Sequence, residues 1–103
     1  MPELIFCYVP VPDSETGKSL ARAALDAGLA GCANLLGPMT SIYEWEGKVQ
    51  EEAEFLLILK TTAEKQRALR DWMEKKHPYE CPCIAGFPVT TNRAFAEWIQ
   101  RQL

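Results

Sequence analysis

The run Phe55-Leu56-Leu57-Ile58-Leu59 constrains this chain more than any other stretch. A strand that is apolar at every position has to be covered on both faces, by helices on one side and by more protein or another subunit on the other. It leads at once into Lys60 and into Thr61-x-x-Glu64, the pattern of a capping box that opens a helix. That helix carries an apolar stripe of Ala68, Leu69, Trp72 and Met73, and Pro78 ends it at about His77. Upstream, Glu46-Gly47 separates Tyr43-Glu44-Trp45 from Lys48-Val49-Gln50 and predicts a hairpin turn. The centre of the chain therefore reads as hairpin, central strand, helix.

The flanks complete the pattern. Leu4–Val9 predicts a buried strand that Pro10 and Pro12 end, because neither can donate to a ladder. Asp13 or Ser14 caps a helix with apolar residues at Leu20, Ala21, Ala24 and Leu25, and Gly28 suits a left-handed C-terminal cap. Cys32–Leu36 and Met39–Trp45 are extended, with Gly37-Pro38 as a bend or bulge. Cys81–Phe87, holding Pro82 and bounded by Pro88, predicts a short edge or irregular strand. Thr91 or Asn92 then caps a last helix with an inner stripe of Phe95, Trp98 and Ile99. The order βαββαβ plus a terminal helix is that of a ferredoxin-like α+β sandwich, one domain over residues 1–103.

Helices on one face of such a sheet leave the other bare. Yet Ile42, Tyr43, Trp45, Phe55, Leu56 and Leu57 put apolar side chains on both faces. The two hairpin strands also exceed the typical ~5–6 residues. Long apolar strands with open edges predict an oligomer built by sheet contacts, with Tyr43 and Trp45 at the interface.

Composition excludes several classes. Apolar residues at 48% and charged residues at 24% are ordinary for a globular domain. No apolar run approaches the ~18 residues of a membrane span. The start Met1-Pro2-Glu3-Leu4 lacks a basic segment and a long apolar stretch, so no secretory signal is expected. A net charge of −3 without a basic cluster argues against nucleic acid. Glu44, Glu46, Glu51, Glu52 and Glu54 read as a solvated acidic face. Four cysteines without a signal predict reduced thiols and a cytoplasmic location. One histidine excludes zinc sites that need two within a chain, and the common nucleotide-binding and hydrolase signatures are missing.

The stretches Leu29-Ala30-Gly31-Cys32-Ala33-Asn34, Thr40-Ser41-Ile42-Tyr43-Glu44-Trp45-Glu46-Gly47-Lys48-Val49-Gln50, Leu59-Lys60-Thr61, and His77-Pro78-Tyr79 with Pro82 resemble the CutA divalent-cation-tolerance family. The resemblance runs from the first strand to Trp98. It implies a ferredoxin-like fold, a homotrimer similar to the PII signalling trimers with clefts between subunits, and a link to tolerance of copper and other divalent cations. It implies no reaction. Some members are described as holding copper through a cysteine late in the first strand and a His-His pair before Pro-Tyr. Val9 stands at the cysteine position here, with Cys7 two residues earlier on the same strand face, and Lys76 replaces the first histidine, leaving His77. Where relatives usually carry Pro-Glu, this chain has Pro82-Cys83.

Four residues are the candidate metal donors: Cys81, Cys83, His77 and Cys7. Cys81 and Cys83, alternate residues of an extended segment, lean the same way about 6.5 Å apart and suit a soft ion such as Cu(I). The competing reading makes them small buried hydrophobes, as Cys7 and Cys32 are expected to be. His77 is a metal ligand or proton carrier in one reading and a helix-terminal cap in the other. Lys60, Tyr79 and His77 are the candidate ligand cleft, Lys60 facing an anion or reaching to solvent. Trp72 and Trp98 are expected in the core.

Two functions are expected in turn. The first is a non-catalytic, metal-responsive protein of copper and divalent-cation tolerance that binds metal weakly through thiols and His77. The alternative is a trimeric PII-like sensor with ligand clefts between subunits. An enzyme is not expected, since no nucleophile, base and orienting group assemble. Copper or another divalent cation is the expected ligand and further copies of the chain the expected partner, with no organic cofactor, membrane or nucleic acid.

Overall fold

The computed structural model describes residues 2–103; Met1, part of the N-terminal stretch read above, lies outside them. The elements are β1 (Glu3–Val11), α1 (Ser14–Asp26), β2 (Cys32–Trp45), β3 (Lys48–Thr61), α2 (Ala63–Lys76), β4 (Ala85–Thr90) and α3 (Arg93–Gln102). The strands form one antiparallel sheet in the order β2-β3-β1-β4. This is the ferredoxin-like sandwich, with α3 added.

β1 lies inside the sheet, and its alternation divides the core in two. Ile5, Cys7, Val9 and Val11 are buried on one face, packed with Leu57 and Leu59 of β3 under Leu20 and Ala24 of α1 and Leu69 and Met73 of α2. Each Leu or Val so buried stabilises the fold by roughly 1.5–3 kcal/mol. Leu4 and Phe6 point the other way. Here the expectation that helices cover one face is corrected: α3 lies over the second face and buries Leu4 against Ala96 and Ile99. The buried line of α3 runs through Ala96 and Ile99, so Trp98, expected in the core, is 41% exposed and stacks on Phe95.

Local chemistry explains most element ends. Asp13 caps α1, accepting from the Thr16 amide at 2.7 Å. Gly28, with φ 71°, closes α1 while the Gly28 and Leu29 amides bond to the Leu25 and Ala24 carbonyls. That is a Schellman cap. Glu46 and Gly47 both have positive φ, as a type I′ hairpin turn requires. At the bulge, register jumps from Leu36↔Leu56 to Met39↔Glu54, so Gly37 and Pro38, joined by a cis peptide, face Phe55 alone. A Cβ on Gly37 would stand 2.8 Å from the Phe55 ring, which explains the glycine.

Three boundaries differ from expectation. The capping box does not form: Thr61 ends β3 and its hydroxyl donates to the Leu29 carbonyl at 2.8 Å, while Thr62 precedes α2 without a side-chain cap bond. β1 continues through Pro10 to Val11, because β4 pairs only as far as Tyr8 and a residue without an amide is tolerated on that open side. β4 starts at Ala85 and contains Pro88, which an edge strand accommodates. Cys81 and Cys83 therefore precede the strand.

The last β1–β3 pair is Val11↔Phe55, so Lys48–Glu54 and its β2 partners extend past the rest of the sheet. The molecule measures 45 × 25 × 21 Å as a result. Ile42 and Val49, on this extension, are 66% and 76% exposed.

Candidate functional site

A groove of about 790 Å³ opens where the base of the hairpin extension meets the segment after α2. Tyr43, Trp45, Glu52 and Glu54 form one wall, Pro10 and Pro12 the end, and Tyr79, Glu80, Cys81 and Cys83 the opposite wall. Strand parity explains the first wall. Glu52 and Glu54 are alternate residues of β3 and share a face, and Tyr43, directly opposite Gln50, is the diagonal neighbour of Glu52.

The carboxylates are engaged. The Tyr43 hydroxyl donates to Glu52. The Tyr79 hydroxyl donates to Glu54 Oε2 at 2.6 Å. Both phenols are held above their ordinary range, Tyr79 first by desolvation and then by the bond to Glu54, Tyr43 first by its bond to Glu52. Glu52, Glu54 and Glu80 line the groove and no lysine or arginine does, so its potential is negative.

His77 stands behind this wall rather than in it. It is 7% exposed, and its Nδ1 accepts from the Tyr79 amide at 3.1 Å. Nε2 therefore carries the proton and donates to the Pro10 carbonyl at 2.8 Å. The rings of His77 and Tyr79 pack with centroids 4.6 Å apart. With both nitrogens occupied, His77 offers no lone pair to a metal, which corrects its place among the expected donors.

Cys7 is corrected too. It is buried on the helix-covered face, where desolvation raises its pKa, and it does not line the groove. Among the described residues no three His, Cys, Asp or Glu side chains are grouped to hold a metal ion. Cys81 and Cys83 remain together as exposed free thiols facing the groove. The reading of them as buried filler is thereby removed.

Within one chain Lys60 stands apart from Tyr79. It sits six residues beyond Glu54, about 20 Å along β3 at ~3.3 Å per residue. Its ammonium stands 5.2 Å from the Phe6 ring and 5.4 Å from the Phe95 ring, a cation–π sandwich under α3. Glu52 and Glu54, read from sequence as a solvated face, are the groove residues that reading missed. Counting register outward from Glu46-Gly47 would have found the Tyr43–Glu52 pair.

The family model described as CutA1 divalent ion tolerance protein matches residues 5–102. The chain belongs to the CutA1 divalent ion tolerance family. It is 39% identical over 104 residues to the divalent-cation tolerance protein CutA of Salmonella newport (strain SL254), covering 100% of this chain and 90% of that one. It is 37% identical over 95 residues to the human protein CutA, covering 91% of this chain but 53% of the human protein's length. The CutA1 crystal structure from Oryza sativa superposes with a TM-score of 0.92 at 38% identity, covering 97% of this chain and 93% of that one. The periplasmic divalent cation tolerance protein CutA from Archaeoglobus fulgidus gives 0.91 at 34%, covering 96% and 97%. The CutA1 family thus accounts for the whole sandwich, hairpin extension included.

Proposed function

We propose that this chain serves divalent-cation tolerance without catalysis, by binding a soft metal ion, copper foremost, at the groove through Cys81 and Cys83. One observation carries the reading: the groove's two exposed thiols stand free, while Glu52 and Glu54 are bonded to phenols. Two thiolates suit cuprous copper, whereas a structural zinc site asks for four ligands and Mg²⁺ for octahedral oxygen. Donors this few and this exposed make weak, exchangeable binding.

The same reading includes a homotrimer, the assembly implied by the resemblance to CutA proteins. The hairpin extension supports association, since Ile42, Tyr43, Trp45 and Val49 expose apolar surface on strands that have no β1 beside them. It also includes a reducing, cytoplasmic compartment, in which Cys81 and Cys83 stay thiols. Among the described residues no helix is long and apolar enough to cross a membrane.

Calorimetric titration of Cu(I) under reducing conditions tests the reading. Wild type should bind and Cys81→Ser/Cys83→Ser should not; equal binding by both would overturn it.

A further inference from the structure

The segment Pro78–Ile84 that carries both thiols belongs to no helix or strand, and Pro78 and Pro82 deprive it of two backbone donors. Ladder bonds therefore do not hold it in place. Ile84 packs on the core at its far end, and Tyr79 anchors it at the near end. The Tyr79 hydroxyl reaches Glu54 of β3 at 2.6 Å, its amide reaches His77 Nδ1 at 3.1 Å, and its ring packs on the His77 ring. His77 is in turn fixed to the Pro10 carbonyl of β1 at 2.8 Å. Two adjacent strands and the end of α2 thus meet on one tyrosine.

We infer that Tyr79 is the positioning residue of the thiol pair, acting through Glu54 and His77 to set where Cys81 and Cys83 stand over the groove. Cys81 is two residues on, within about 7 Å of extended chain, so a change at Tyr79 has almost no slack in which to die out. The bond joins a phenol to a carboxylate, the stronger kind of hydrogen bond, and bridges residues 25 apart in sequence. A tyrosine kept only for packing would need its ring and not this hydroxyl. The metal consequence rests on the proposed function above; the ordering of the loop does not.

The test uses the full chain, metal-free and reduced, with Tyr79→Phe, Glu54→Ala, the combination of the two, and Glu54→Gln, whose amide oxygen still accepts from the phenol. Two readouts are taken on each: the iodoacetamide alkylation rates of Cys81 and Cys83, and the Cu(I) affinity by competition with a chromophoric chelator. Tyr79→Phe and Glu54→Ala should each speed alkylation several-fold and weaken Cu(I) about tenfold, the scale of losing a hydrogen bond to a charged acceptor. The combination should do no more than either alone, because both remove one interaction. Glu54→Gln, which keeps an acceptor but loses its charge, should fall between wild type and Glu54→Ala in both readouts. Unchanged alkylation in Tyr79→Phe and Glu54→Ala overturns the inference. Faster alkylation in variants of a protein whose wild type takes no Cu(I) upholds the positioning role and overturns the metal reading instead.

Discussion

The Tyr79 hydroxyl donates to Glu54 Oε2 across 2.6 Å, tying the segment after α2 to a strand residue 25 positions earlier. The bond has two consequences. It engages one oxygen of a carboxylate that lines the groove, and it sets the start of the segment on which Cys81 and Cys83 stand. The seat of both groove thiols thus depends on a tyrosine and a glutamate that are bonded to each other.

The bond gives the fold an alkaline limit. Burial and the Glu54 carboxylate raise the Tyr79 pKa above the usual phenol value of ~10. A group with a raised folded pKa contributes stability that is fully present below its unfolded pKa and is lost as pH rises above it. Unfolding midpoints should therefore fall as pH climbs past about 10, more steeply in wild type than in Tyr79→Phe. Denaturant titrations at several alkaline pH values measure this, and identical slopes for the two proteins would contradict it.

Cys81 and Cys83 should separate cleanly from Cys7 by reactivity. Cys81 and Cys83 are exposed, whereas Cys7 is 2% exposed with its pKa raised by burial. Native protein should be alkylated at Cys81 and Cys83 while Cys7 reacts only on unfolding, as peptide mass mapping reads. Fast modification of Cys7 in folded protein would place it elsewhere than the α1–α2 core.

Most of the architecture was legible because its signals are local. Phe55–Leu59, the turn at Glu46-Gly47, the Asp13 cap and the Gly28 cap each act within a few residues, and their order suffices for the sandwich. The misreadings share a cause, which is dependence on tertiary neighbours. Cys81–Phe87 is apolar enough for a strand, but pairing starts at Ala85 because Tyr8 is the last β1 residue that β4 reaches. His77 stayed open between ligand and helix-terminal cap because the carbonyl that claims Nε2 lies 67 residues away. For Lys60 the sequence offered solvent or an anion and not the Phe6 and Phe95 rings, because α3, which brings Phe95 over it, folds back from the far end of the chain.

His77 should matter to stability and not to metal stoichiometry. His77→Ala leaves the part-buried Pro10 carbonyl and Tyr79 amide without their partner, a loss of about 1 kcal/mol each, the low end of the range for unpaired groups. Chemical denaturation should show that loss while the number of Cu(I) ions bound per chain stays as in wild type. Loss of one equivalent with unchanged stability would return His77 to the donor set.

Assembly is open to direct weighing. Sedimentation should give about three times the 11.6 kDa chain mass, and a stable monomer at micromolar concentration contradicts the trimer. Trp45, 45% exposed in the single chain, lies on the extension that association would cover. Trp45→Asp should weaken assembly by roughly 3–5 kcal/mol through a buried, unpaired charge.

The measurement that bears most directly on the account is Cu(I) calorimetry under reducing conditions on wild type and on Cys81→Ser/Cys83→Ser, repeated at falling pH. Wild type should bind with an affinity that declines as the pH drops, since thiolates must lose protons to bind metal, and the double variant should give no binding heat. Equal Cu(I) binding by the two proteins, or none by wild type, would contradict the thiol pair as the metal site.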